Sequence, residues 1–99
     1  MIKNGTRLQS QVCDTQIVVV RSSEALDTLR CGGAPLVPLG SATGDAVLDP
    51  EFAHGTVLGK RYAHDSGAEL LVTRSGAGSL TIDGEALGVK QAAQLPSSD

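Results

Sequence analysis

The chain has 99 residues, 40% of them hydrophobic, which is enough for one folded domain or two half-domains sharing a core and is too apolar for a disordered chain. A net charge of −3 and only two aromatic rings, Phe52 and Tyr62, exclude nucleic acid as an expected partner, because that affinity rests on Lys and Arg meeting phosphate and on aromatic platforms. No apolar run approaches the roughly 18 residues of a bilayer span, and the start, Met1 to Arg7, has no apolar stretch of signal-peptide length, so the expectation is no membrane and a cytoplasmic location.

In chain order, the first periodic segment runs from about Leu8 to Arg21 and contains the β-branched run Ile17-Val18-Val19-Val20, which favours a strand. Ser22 to Leu29 admits one helical turn, but the extended look of its flanks predicts a β-hairpin connection. Cys31-Gly32-Gly33-Ala34-Pro35 is a turn, since two glycines allow positive φ and Pro35 blocks a helix. Leu36 to Leu39 is a short extended exit. Gly40 to Pro50 is rich in Gly, Ser, Ala and Asp and predicts a linker, taken as 40–58, with a single turn started by Asp49-Pro50-Glu51-Phe52.

Glu69 to Arg74 is a strand, and Ser75-Gly76-Ala77-Gly78 predicts a tight hairpin turn. Ser79-Leu80-Thr81-Ile82 alternates polar and apolar residues, as a half-buried strand does. Asp83-Gly84 is the strongest hairpin signal in the chain. Glu85 to Lys90 predicts a returning strand, and residues 91–99 a polar, fraying tail. With so few large rings, the core is thin or is completed by a partner surface.

The same order of elements occurs twice. Gly5-Thr6-Arg7-Leu8 resembles Gly59-Lys60-Arg61-Tyr62, and Val19-Val20-Arg21-Ser22 resembles Val72-Thr73-Arg74-Ser75. Leu29 to Leu36 resembles Leu80 to Leu87. The expected fold is mostly β, built of small hairpin and knuckle units in two related halves packed as a pseudo-dimer. The halves are residues 1–39 and 59–90, joined by the linker 40–58.

This unit resembles a desulforedoxin, whose pattern is a glycine, an aromatic, a Cys-x-x-Cys-Gly knuckle, a Val-rich strand, a Gly-rich turn and a second Cys-Cys-Gly knuckle. The resemblance is carried by Leu8-Gln9-Ser10-Gln11-Val12-Cys13-Asp14, Ile17 to Val20, and Leu29-Arg30-Cys31-Gly32-Gly33-Ala34-Pro35-Leu36. It implies a small rubredoxin-like β fold that binds one iron through four thiolates and pairs as a dimer. Ser10, Cys13, Cys31 and Gly32 fall on its four ligand positions. In the second copy these are His64, Ser66 or Gly67, Ile82 and Asp83. With two of four thiolates present, the family's electron transfer is not carried over.

Cys13 and Cys31 are the most informative residues. They are free thiols, a disulfide stapling two knuckles worth about 3 kcal/mol, or ligands of a metal completed from elsewhere. His54 and His64 are the candidate extra ligands, and two chains pooling Cys13 and Cys31 supply four thiolates for zinc or iron. The cofactor expectation is therefore none, or a single Zn or Fe. His64 with Asp65 or Glu69 is the one acid–base pairing in sight, without a nucleophile or oxyanion hole. Ser10, Ser22 and Ser66 lie in no nucleophile elbow. Gly76-Ala77-Gly78 is no phosphate loop, because it opens no helix and no lysine follows.

Arg7, Arg21, Arg61 and Arg74 recur in pairs between the copies. Exposed charges are usually solvated; the sharper reading is an equivalent surface on each half. The function expected from all this is a small non-catalytic binding or accessory protein, a subunit of a larger complex or a homo-oligomer. The alternative is a metal-binding protein or electron carrier using Cys13 and Cys31.

Overall fold

Ile17 and Val19 are buried while Gln16, Val18 and Val20 between them are half-buried, and this period of two sets β2 (Gln16–Arg21) as an inner strand with one face on the core. β7 (Glu69–Arg74) repeats the pattern with Leu70 and Val72 buried. The two pair antiparallel, Ile17 opposite Val72, Val18 opposite Leu71 and Val19 opposite Leu70. They form the centre of a six-stranded antiparallel sheet in a computed structural model that describes residues 2–90. The polar tail expected at 91–99 lies outside the described residues.

β1 (Arg7–Gln9) lies against β2, and β5 (Val37–Pro38) forms the edge beyond it. On the other side β6 (Arg61–Ala63) lies against β7, and β10 (Gly88–Val89) forms the far edge. The order is β10-β6-β7-β2-β1-β5. A second sheet has the order β4-β3-β8-β9, built from β3 (Arg30–Cys31), β4 (Ala34–Pro35), β8 (Leu80–Ile82) and β9 (Glu85–Ala86). In both sheets a central pair joins a strand from before residue 40 to one from after residue 58. The fold is mostly β, in two antiparallel sheets.

One apolar cluster joins Leu8, Ile17, Val19, Tyr62, Leu70 and Val72 of the large sheet to Leu26, Leu29, Cys31, Leu80, Ile82 and Leu87. The core is thus the layer between two inner sheet faces. Of the two aromatic rings only Tyr62 is buried, and its hydroxyl accepts the Val57 N–H at 3.0 Å.

The turns at Gly32-Gly33 and Asp83-Gly84 are two-residue hairpins closing Cys31 against Ala34 and Ile82 against Glu85. All four turn residues have positive φ, from 52° to 89°, which is the twist that suits a tight hairpin. The turn expected from Asp49 to Phe52 is a 3-10 turn, Pro50–Phe52, capped by the Asp49 side chain on Glu51 N–H at 2.9 Å.

Two connections differ from the sequence-based expectation. Ser22 to Leu29 is no hairpin link: β2 and β3 belong to different sheets, and a 3-10 turn, Glu24–Thr28, carries the chain between them. The Ser23 side chain caps it on Ala25 N–H, and Leu26 anchors it in the core. Likewise Ser75 to Gly78 is not a hairpin turn, because β7 and β8 never pair. Its glycines serve contact with residues far away in sequence. Residues 40–58 are also no slack tether, since Asp49 N–H donates to Gly32 O and Thr56 N–H to Gly76 O, both at 3.0 Å.

Candidate functional site

The loop from Ser10 to Thr15 between β1 and β2 is a knuckle held by its own serine. Ser10 N–H donates to Thr15 O at 2.9 Å. The Ser10 hydroxyl, buried, accepts the N–H groups of Val12 and Cys13 at 3.1 and 3.2 Å. The turn is thereby wound so that the Cys13 side chain points back towards the serine, with Ser10 Oγ and Thr15 Oγ1 each 3.3 Å from Cys13 Sγ.

Cys31 arrives from the β3–β4 hairpin. Its sulfur lies 3.9 Å from that of Cys13, both thiols are free, and Cys31 has 0% of its surface exposed. The cover comes from the connection after β7. Gly78 N–H donates to Cys13 Sγ at 3.3 Å. A Cβ on Gly78 would stand 2.9 Å from Gly32 N and 3.1 Å from Cys31 Sγ, so only glycine fits there. Thr15 Oγ1 also meets Thr56 Oγ1 at 3.0 Å, and Thr56 Oγ1 accepts Gly76 N–H.

Burial acts to raise the Cys13 thiol, but it is outweighed by the Ser10 and Thr15 hydroxyls and the Thr15 and Gly78 amides, which bring it down to about 7. Cys31 is pushed up to about 12, first by burial and then by the charge that Cys13 carries. Cys13 is accordingly the more nucleophilic thiol of the pair, and Cys31 is the one held protonated and out of reach of solvent. Alkylation with iodoacetamide is expected to modify Cys13 alone in the folded protein, with a rate that climbs through about pH 7. Mass mapping against pH checks this, and equal labelling of both cysteines contradicts it.

The signs for stability follow. Between about pH 7 and the ordinary thiol value of 9.0, the unfolded chain binds the proton that folded Cys13 has released, so Cys13 makes stability rise with pH. Above 9.0 the folded chain keeps the Cys31 proton that the unfolded chain loses, so stability falls.

The histidines do not join the thiols. His54 is exposed in the loop after the second 3-10 turn, with its N–H on Ser79 Oγ at 2.9 Å. His64 sits in the loop between β6 and β7, where its Nδ1 accepts Ser66 N–H at 3.1 Å. Glu69 is engaged by Lys90 at 2.9 Å instead of His64. Among the described residues no three of His, Cys, Asp and Glu gather as a metal-holding group.

The four-thiolate iron that the desulforedoxin resemblance implies does not fit these residues. Two corners are thiols, one is a serine oxygen already bound to two amides, and the fourth is Gly32. A Cβ at Gly32 would meet Val12 Cγ2 at 2.6 Å and Leu48 Cδ1 at 2.7 Å, so that corner is filled. Because Cys31 is fully buried, a second chain cannot bring its thiols to a shared ion without opening the site.

The chain matches no family model, no curated protein and no solved structure.

A second feature lies on the outward face of the large sheet. Arg7 stands opposite Val18, Val18 opposite Leu71, and Leu71 opposite Arg61, so one row across four strands reads Arg-Val-Leu-Arg. Register shifts skip Val20 and Thr73, which places Arg21 opposite Glu69 and Arg74 opposite Gln16. These bulges turn Arg21 and Arg74 to the same face as Arg7 and Arg61. Lys90 adds a fifth cation, and its hydrogen bond, with the nearby Arg61 and Arg21, holds the Glu69 carboxyl below the usual carboxylate range. Beside Val18 a cavity of about 270 Å³ is lined by Arg7, Gln16, Ile17, Val18, Leu39 and Thr73. Sequence reasoning found the four arginines but not their common face, because bulges leave no mark in a period-two pattern.

Proposed function

We propose that this protein is a non-catalytic accessory module whose outward sheet face docks an acidic surface of a larger protein. The scaffold is read as a degenerate, desulforedoxin-like unit in tandem, in which two halves of one chain take the place of a dimer. The paired registers support this reading: Leu8 faces Ile17 as Tyr62 faces Leu70, and Arg30 faces Thr81 at the centre of the small sheet.

The observation that carries the function is the charge of the large sheet's open face. Among the described residues on its strands, Arg7, Arg21, Arg61, Arg74 and Lys90 share it with one acid, Glu69, although the whole chain is net −3. Such a separation of charge favours an anionic partner and speeds its approach. Arg7 and Arg61 flank the apolar pair Val18 and Leu71 across three strand spacings, about 14 Å apart. That arrangement suits carboxylates placed either side of an apolar contact.

The double variant R7E/R61E tests this. Both residues are exposed strand positions, so the fold is expected to survive, as circular dichroism can verify. A partner retained by the wild-type chain in native pull-downs from its host at low salt is expected to be lost by at least tenfold with the variant, and released as salt rises. Equal retention by both chains, or a partner held without salt dependence, rejects the assignment.

A further inference from the structure

Apart from the sheet face, the described residues hold a group of reactive side chains that docking does not use. It is the thiol pair beneath Gly78. We propose that Cys13 and Cys31 form a reversible dithiol–disulfide couple oxidised by hydroperoxides, Cys13 attacking and Cys31 resolving.

The geometry assigns the roles. Cys13 is half-buried and reachable, whereas Cys31 has no exposed surface, so an oxidant meets Cys13 first. The sulfurs lie 3.9 Å apart with no side chain between them, and the residue above them is a glycine. A disulfide needs about 2.05 Å. Closing the remaining distance asks for an approach of about 1.9 Å, which rotation about a Cα–Cβ bond supplies. The two cysteines belong to different turns, the Ser10–Thr15 loop and the β3–β4 hairpin, so their union ties the large sheet to the small one.

In the first step the Cys13 thiolate attacks the outer oxygen of the hydroperoxide. The O–O bond breaks, the alkoxide leaves as the alcohol after taking a proton from water, where the thiol had released its own, and Cys13 becomes a sulfenic acid. Ser10 Oγ, Thr15 Oγ1 and Gly78 N–H, all 3.3 Å from the sulfur, hold the attacking charge in place. In the second step Cys31 sulfur attacks Cys13 sulfur. The S–O bond breaks, and the hydroxyl leaves as water with the Cys31 proton. Once Cys13 is a sulfenic acid its negative charge is gone, and with it one of the causes that keep Cys31 protonated. A dithiol reductant reverses the couple by exchange, taking the disulfide as its own.

The experiment is titration of the full chain with hydrogen peroxide under non-denaturing conditions, read by intact mass and by non-reducing peptide mapping. The expected product is a monomer lighter by two hydrogens, with both free thiols lost, a Cys13–Cys31 cross-linked peptide, and full recovery with dithiothreitol. The oxidised chain is expected to melt higher, on the order of 10 °C. C31S and C31A are each expected to stop at a Cys13 sulfenic acid that dimedone traps, while in C13S the remaining Cys31 stays reduced. Two variants at Cys31 separate loss of the thiol from loss of packing. Persistence of both thiols through excess peroxide overturns the proposal. So does a disulfide between chains, or stoichiometric zinc or iron on the thiols that blocks oxidation. Because Cys13 and Cys31 are not on the arginine face, these outcomes are independent of partner capture.

Discussion

Replacing Gly76 with alanine is expected to cost about 3 kcal/mol of folding stability. The added Cβ would stand 2.4 Å from Thr15 N, 2.5 Å from Thr15 Oγ1 and 2.9 Å from Asp14 N. Two of those three atoms are backbone, so no rotamer change relieves the clash, and either the knuckle or the covering turn must move. For a domain of this size the melting temperature falls by roughly 15 °C. Two controls isolate the cause. At Gly67, φ is +97° and nothing lies within 4 Å of the new Cβ, so alanine there costs only the strain of a left-handed backbone, about 1 kcal/mol. At Gly88 there is neither contact nor positive φ, and alanine is expected to change stability by less than about 0.5 kcal/mol. Calorimetry of the three variants decides it. Gly76→Ala melting with Gly88→Ala would show that the turn does not sit on the knuckle.

Leu70→Ala carries a comparable loss, about 3 kcal/mol, because Leu70 has 0% exposure and stands between Tyr62 on β6 and Val19 on β2. Its neighbour Leu71 points the other way, towards the arginine face, and is only half-buried. Leu71→Ala is therefore expected to cost less than about 1 kcal/mol. Urea unfolding with the slope held common gives both values. The contrast is a test of register, since slipping β7 by one residue would exchange the two leucines between core and outward face and reverse the order.

Local chemistry was legible wherever it decided structure on its own. The β-branched run of β2 and the Asp83-Gly84 hairpin carry their conformation in adjacent residues. So does the Asp49-Pro50 start of a 3-10 turn. Leu80 to Ile82 is a strand as expected but not half-buried, since Ser79 and Thr81 are buried along with Leu80 and Ile82. Ser75 to Gly78 was illegible for the opposite reason. A short glycine-rich stretch between two strands looks the same whether those strands pair or part company. What decides is the approach of Gly76 to Thr15 and of Gly78 to Gly32, contacts between residues far apart in the chain. Ser22 to Leu29 went the same way, because Leu26 commits it to the core while its flanks leave for different sheets.

The thiol site shows the same division. Cys13 and Cys31 mark themselves, and Ser10 is singled out only because it falls on a ligand position of the desulforedoxin resemblance. Thr15, Thr56 and Gly78 complete the site and carry no signal, since hydroxyls and glycines are common in any loop. Their part is visible only in the distances to Cys13 Sγ and between the threonine hydroxyls.

The cover over the thiols is encoded much later in the chain than the thiols themselves. On a ribosome adding about 5 to 20 residues per second, both cysteines leave the exit tunnel seconds before Gly76 to Ser79 arrive to shield them. During that interval the nascent polypeptide presents two naked sulfhydryls. Adduct formation at either one before translation ends would lodge a group where the late-made turn must land, and Cys31, sealed in the finished fold, is open to thiol reagents only at birth.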